Sequence, residues 1–104
     1  MTAANAIELG PIRIDVAARV AELEGAALEL TRVEFDLLCA LARRAGTSIS
    51  RKWLVDNVLD PKRQGDERTL DVHVSRLRKK LGAHGERLAT VWGIGYRLRL
   101  EDPA

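Results

Sequence analysis

Apolar and polar positions follow two different periods along this chain, and the change of period divides it into three stretches. In the first, Ile7-Glu8-Leu9 and Ile12-Arg13-Ile14-Asp15 alternate on either side of the turn pair Gly10-Pro11. Val20-Ala21-Glu22-Leu23 follows, and Glu24-Gly25 makes a tight connection into Ala26–Leu30. These residues predict a small antiparallel meander, with strands over about 7–30, although alanine is a poor strand former.

From Thr31 the period becomes helical. Thr31-Arg32-Val33-Glu34 has the form of a capping box, in which the threonine oxygen takes an amide three residues on and the glutamate reaches back. Phe35, Leu37, Leu38, Leu41 and Ala42 then form an apolar stripe, and Gly46, just past Arg43-Arg44-Ala45, supplies a stop. Ser50 caps a second helix with Leu54, Val55, Val58 and Trp53 on its inward side. Asp60-Pro61 ends that helix, and Lys62-Arg63-Gln64-Gly65-Asp66 reads as an exposed polar loop. A third helix, capped by Asp66, runs to Gly82. The predicted helices cover about 32–45, 51–59 and 67–81.

The last stretch returns to strands. Thr90-Val91-Trp92 and Tyr96-Arg97-Leu98 flank Gly93-Ile94-Gly95, whose two glycines permit the positive φ angles of a tight hairpin over about 88–100. Strands, three helices and a hairpin make one α+β domain over 1–104, with a helix-turn-helix core.

The third helix carries the chemistry. At about 100° per residue, Leu70, Val74, Leu77 and Leu81 share one narrow stripe that must face the core. The opposite face gathers Arg68, Thr69, Val72, Ser75, Arg76 and Lys79, with His73 and Lys80 on one flank and Asp71 and Arg78 on the other. Cations suit phosphates or guanine edges, and one exposed valine among them suits a thymine methyl in a major groove. Arg76, near the helix centre, is placed for a bidentate bond to guanine, whereas Arg68, Arg78 and Lys79 are placed for phosphates. Asp71 would repel phosphate, so its flank position near Arg78 suggests that it orients an arginine. Arg51 and Lys52 open the second helix, where free amides also favour phosphate, and Tyr96, Arg97 and Arg99 would let the hairpin lie along a duplex.

Charge distribution agrees with this placement. The net charge is only +2, but residues 1–50 hold five lysines and arginines against seven acids, and residues 51–104 hold twelve against eight. By residues alone, a solvated basic face and a basic surface for an acidic protein partner stay open beside DNA. The other features exclude more than they suggest. One cysteine, Cys39, rules out an internal disulfide framework, fits a reducing compartment, and sits where a small core residue belongs. His73 and His84 have no cluster at ligand spacing, so neither metal nor cofactor is expected. There is no nucleophile–base pair, phosphate-cradling glycine loop or paired carboxylate, so no enzyme is expected. No apolar run approaches the roughly 18 residues of a membrane span, and no secretory leader is evident, so a cytoplasmic location is expected.

Four spaced motifs resemble a known family. They are Leu30-Thr31-x-x-Glu34-Phe35-x-Leu37-Leu38, Ser50-Arg51-x-x-Leu54, the run from Arg68 to Leu81, and Thr90-Val91-x-Gly93-x-Gly95-Tyr96-Arg97-Leu98. Together they resemble the winged-helix effector domain of OmpR/PhoB-type response regulators, over about Ile7 to Leu100. The resemblance implies a four-stranded N-terminal antiparallel sheet, three helices and a C-terminal β-hairpin wing. It implies transcriptional regulation in a two-component phosphorelay, by double-stranded DNA binding as tandem dimers on direct-repeat promoter sites, with the domain alone a monomer. Base contacts would fall to Thr69, Val72, His73 and Arg76, and phosphate contacts to Arg68, Arg78, Thr90 and Tyr96. The loop Leu59–Asp66, with Asp60, Lys62, Arg63 and Gln64, resembles the segment that touches RNA polymerase in activators of the family.

Three positions depart from the family pattern. Leu59 stands where a phosphate-binding tryptophan is common, Ser75 where some members carry an arginine, and Trp92 where a wing arginine often enters the minor groove. An indole cannot supply that cation; it could stack on sugar, pack under the wing or meet a protein. A phosphoacceptor receiver domain does not precede these residues, so the chain is expected to be a piece of a longer regulator whose receiver answers a sensor kinase. A stand-alone regulator is the alternative, and a winged helix serving only protein contact is the alternative function.

Overall fold

The computed structural model describes residues 6–59 and 65–103. The loop residues Asp60, Lys62, Arg63 and Gln64 lie outside them. Four short strands, β1 (Ala6–Leu9), β2 (Ile12–Asp15), β3 (Val20–Leu23) and β4 (Ala26–Leu28), form an antiparallel sheet in sequential order. Ile7 pairs with Ile14 and Ile14 with Ala21, so the alternation in the sequence turns one apolar row inward. Glu24 and Gly25 both have positive φ (52° and 83°), which is the two-residue hairpin geometry that matches strand twist.

Helix α1 (Arg32–Arg43) starts on the expected capping box. The Thr31 hydroxyl accepts from the Glu34 amide at 3.1 Å, and the Thr31 amide donates to Glu34 Oε1 at 3.0 Å. Helix α2 (Arg51–Val58) is capped by Ser50, whose hydroxyl accepts from the Trp53 amide at 3.0 Å. Helix α3 (Glu67–Leu81) is capped by Asp66, which accepts from the Thr69 amide at 2.8 Å, and it stops at Gly82 with φ 57°. All three caps are local i to i+3 bonds, and each contributes about 1 kcal/mol.

The core lies between the helices and both sheets. Leu37, Leu38, Leu41, Leu54, Leu70, Leu77, Leu81 and Leu98 are fully buried there. Burying the α3 stripe of Leu70, Val74, Leu77 and Leu81 contributes about 1.5–3 kcal/mol per side chain. Cys39 is buried in this core. Leu59, which departs from the family pattern at the end of α2, is buried with it.

Three features differ from the expectations. Ile49–Ser50 forms a strand, β5, that joins the hairpin strands β6 (Leu88–Val91) and β7 (Gly95–Leu98) in the order β5-β7-β6. A 3-10 turn over Gly82–Arg87 separates α3 from β6. The two hairpin glycines also do different work: Gly93 has φ +79°, but Gly95 does not use positive φ. A Cβ on Gly95 would lie 2.0 Å from the Ile49 carbonyl oxygen, so glycine is needed there for close approach of β5.

Arg87 fastens the first sheet to the end of the chain. Its buried guanidinium donates to the Leu9 carbonyl at 3.1 Å, the Leu100 carbonyl at 3.0 Å and Asp102 Oδ1 at 2.8 Å. Asp102 also meets His84 Nδ1 at 2.9 Å, and the Asp102 hydrogen bond holds the His84 pKa above its usual value.

Candidate nucleic-acid interface

Helix α3, about 22 Å long at 1.5 Å per residue, packs its apolar stripe against α1 and α2 and leaves its other side to solvent. Arg68, Val72, Ser75, Arg76 and Lys79 are exposed on that side, with Thr69 half-buried beside them. Val72 is 46% exposed, an apolar group held among cations as the helical spacing required. Arg68, Arg76 and Lys79 make no ion pair among the described residues, so their charge is offered outward.

The two flanks of α3 are occupied differently. On one flank, Lys80 reaches α1 and donates to Glu34 Oε1 at 2.6 Å. Glu34 is 1% exposed. Burial works to raise its carboxyl pKa, but the bonds from Lys80 and the Thr31 backbone outweigh that and hold it below the usual carboxylate value. His73 is half-buried on this flank, and its Nδ1 is enclosed without a hydrogen-bond partner among the described residues. Burial, together with the charge of Arg76, lowers the His73 pKa and so favours the uncharged ring. Only its outer edge remains to meet a ligand.

On the other flank, Asp71 does orient an arginine, but the partner is Arg51 rather than Arg78. The Arg51 side chain pairs with both Asp71 and Glu67, at 2.7 Å from Glu67 Oε1. Tyr96 on β7 donates its hydroxyl to Asp71 Oδ1 at 2.6 Å. Helix α2, helix α3 and the wing therefore converge on one carboxylate. Their distance in sequence, 20 and 25 residues from Asp71, hid this from helical periodicity. Arg51 and Tyr96, expected at phosphates, thus have polar atoms committed inside the domain, and Tyr96 is only 7% exposed.

Arg78 is the counterpart that makes no ion pair among the described residues. Its Nε donates to the Leu88 carbonyl at 2.7 Å and its Nη2 to the Thr90 hydroxyl at 2.8 Å, and its guanidinium stands 5.5 Å from the centroid of the Tyr96 ring. All these partners are neutral, so Arg78 is oriented without losing its charge. Between α3, the start of α2 and the wing lies a groove of about 670 Å³, edged by Arg51, Lys52, Arg78, Thr90, Trp92 and Ile94. Trp92, at the hairpin turn, is 89% exposed, which excludes packing under the wing. Arg97 is half-buried on β7, and Trp53 is half-buried with the Arg44 guanidinium 4.4 Å from its ring. No group of three or more His, Cys, Asp or Glu among the described residues could hold a metal ion, and no helix of theirs is long and apolar enough to cross a membrane.

Known proteins resemble this chain in sequence and fold. The family model described as "Transcriptional regulatory protein, C terminal" matches residues 25–98. The sensory transduction protein RegX3 of Mycobacterium leprae is 44% identical over 95 residues, covering 88% of this chain and 48% of the relative. The chain spans about half the length of the curated relatives it matches. Among solved structures, the Klebsiella pneumoniae RstA DNA-binding domain in complex with the RstA box superimposes with a TM-score of 0.79 at 34% identity, covering 92% of this chain and 98% of that one. The response regulator DrrB, a Thermotoga maritima OmpR/PhoB homologue, superimposes with a TM-score of 0.80 at 28% identity over 91% of this chain and 44% of its own. A capped α3 with an outward cationic face, the wing tied to it and these likenesses in sequence and fold agree: the chain belongs to the family of C-terminal domains of transcriptional regulatory proteins, as an OmpR/PhoB-type winged-helix effector domain.

Proposed function

We propose that this domain binds double-stranded DNA at specific sites by placing α3 in the major groove, and so directs transcription as the effector half of a two-component response regulator. The observation that carries it is the outward face of α3, where Arg68, Arg76 and Lys79, which make no ion pair among the described residues, surround an exposed Val72. Arg76 and Val72, with Thr69 and the outer edge of His73, read base edges; Arg68, Lys79, Arg78 and Thr90 hold phosphates. Arg51 and Tyr96 serve by fixing the frame between helix and wing. The family is one of transcription regulators and not of enzymes.

The wider setting follows the same reading. Residues 1–104 act as one domain, monomeric when free and paired on direct repeats. A receiver domain and its sensor kinase supply control in a cytoplasmic pathway, and the loop holding Asp60, Lys62, Arg63 and Gln64 meets RNA polymerase. The test is selection of bound duplexes from a random pool. Enrichment of one short sequence, occurring as spaced direct repeats, supports the reading; a pool that stays random after repeated rounds at physiological salt overturns it.

A further inference from the structure

Exposed apolar groups need an explanation when they adjoin a charged surface. Among the described residues, the hairpin turn shows two: Trp92 at 89% and Ile94 at 52% exposure. Gly93 between them has φ +79°, and the Ile94 carbonyl accepts from the Arg51 amide at 3.2 Å, so the turn is anchored to the start of α2. Both residues edge the groove together with Arg51, Lys52 and Arg78. Glu67 and Asp71 also line it and both pair with Arg51, but the lining's cations, Arg51, Lys52 and Arg78, outnumber these two acids.

A phosphate strand is the ligand that suits such a groove. It is an extended anion, and Arg78 and the Thr90 hydroxyl present a cation and a polar contact to it. With α3 in the major groove, a strand seated here has the helix on one side and the turn on the other. Across a phosphate strand from the major groove lies the minor groove. Its walls are deoxyribose C–H groups and base edges, surfaces against which an indole face and an isoleucine can pack. A protein partner covering Trp92 and Ile94 would instead have to bury the neighbouring cations.

We propose that Trp92, supported by Ile94, is a DNA-contacting and specificity-determining residue that packs its ring into the minor groove against sugar and base edges. The wing then contributes to affinity by apolar contact, without releasing a counterion, and favours steps that open or kink readily. This rests on the proposed DNA binding.

The test uses the whole chain and a labelled duplex taken from the random-pool selection. Stacked aromatic contacts predict that W92A weakens binding about tenfold, whereas W92F stays within about threefold of the wild type. The slope of log affinity against log salt should be the same for all three, because no phosphate partner is lost. In W53F, whose one remaining indole is Trp92, the fluorescence should become protected from acrylamide when the duplex binds. Duplex binding that leaves Trp92 as open to acrylamide as before, with W92A binding like wild type, overturns the wing contact alone and points to a protein surface. A salt slope that falls in W92A overturns the apolar mode. Absence of any anisotropy change with wild-type chain overturns the DNA reading itself, and the wing contact with it.

Discussion

The hydroxyl of Tyr96 lies 2.6 Å from Asp71 Oδ1, and this bond ties the wing to the helix proposed to read DNA. Burial, more than the bond to Asp71, pushes the Tyr96 phenol up to about 12 from an ordinary value of 10.0. A phenol with a raised folded pKa stabilises the fold below the unfolded value, and the contribution disappears as pH rises through the folded value. Denaturation in urea should therefore show wild type losing on the order of 2 kcal/mol relative to Y96F between pH 10 and about 12. Equal pH profiles for the two proteins would mean that the hydroxyl is not held as described.

Lys80 and Glu34 join α3 to α1 in a second place. Lys80→Ala leaves the Glu34 carboxylate buried with only its Thr31 contacts, so a loss of about 1–3 kcal/mol is expected in urea denaturation at pH 7. Because the Glu34 pKa is lowered from 4.5, its contribution is present above that value and is lost as pH falls through the lower folded value. In K80A the acid limb should move to higher pH. An unchanged acid limb would show that Lys80 does not hold the carboxylate.

Gly95→Ala should be severely destabilising, by several kcal/mol, although the new side chain is one methyl group. Its Cβ would meet the backbone, 2.0 Å from the Ile49 oxygen and 2.8 Å from the Arg51 nitrogen. Gly25→Ala meets nothing within 4 Å and should cost only the strain of φ 83°, about 1 kcal/mol. Thermal melts of the two variants, side by side, separate close approach from backbone conformation.

Arg76 and Arg68 should behave differently on DNA. Arg76→Ala is expected to cost about 1–3 kcal/mol at a selected site and to relax base choice at one position, with little change on scrambled DNA. Arg68→Ala should weaken both by similar factors and flatten the salt dependence. Equal losses for Arg76→Ala on the two duplexes would make it a phosphate contact.

The legible part of this protein is local in sequence. Thr31 with Glu34, Ser50 and Asp66 announce helix starts because a cap acts over three residues, and Leu70, Val74, Leu77 and Leu81 announce the buried side of α3 because helical spacing is fixed. The outward set of Arg68, Val72 and Arg76 follows from the same spacing. Contacts that cross the fold leave no such pattern. Arg51 with Asp71, Glu34 with Lys80, and Arg87 with Leu9 are 20, 46 and 78 residues apart. Two residues, Ile49–Ser50, are too few to show a strand period, and the need for Gly95 arises only once that strand lies against it.

The most direct test of the central claim is the ratio of affinities for a selected duplex and its scrambled counterpart, measured by anisotropy from about 50 to 200 mM salt. The account predicts that both affinities fall steeply while the selected duplex stays about a thousandfold tighter or better throughout. A ratio that collapses toward one across that range would contradict it, leaving α3 as a basic surface without base reading.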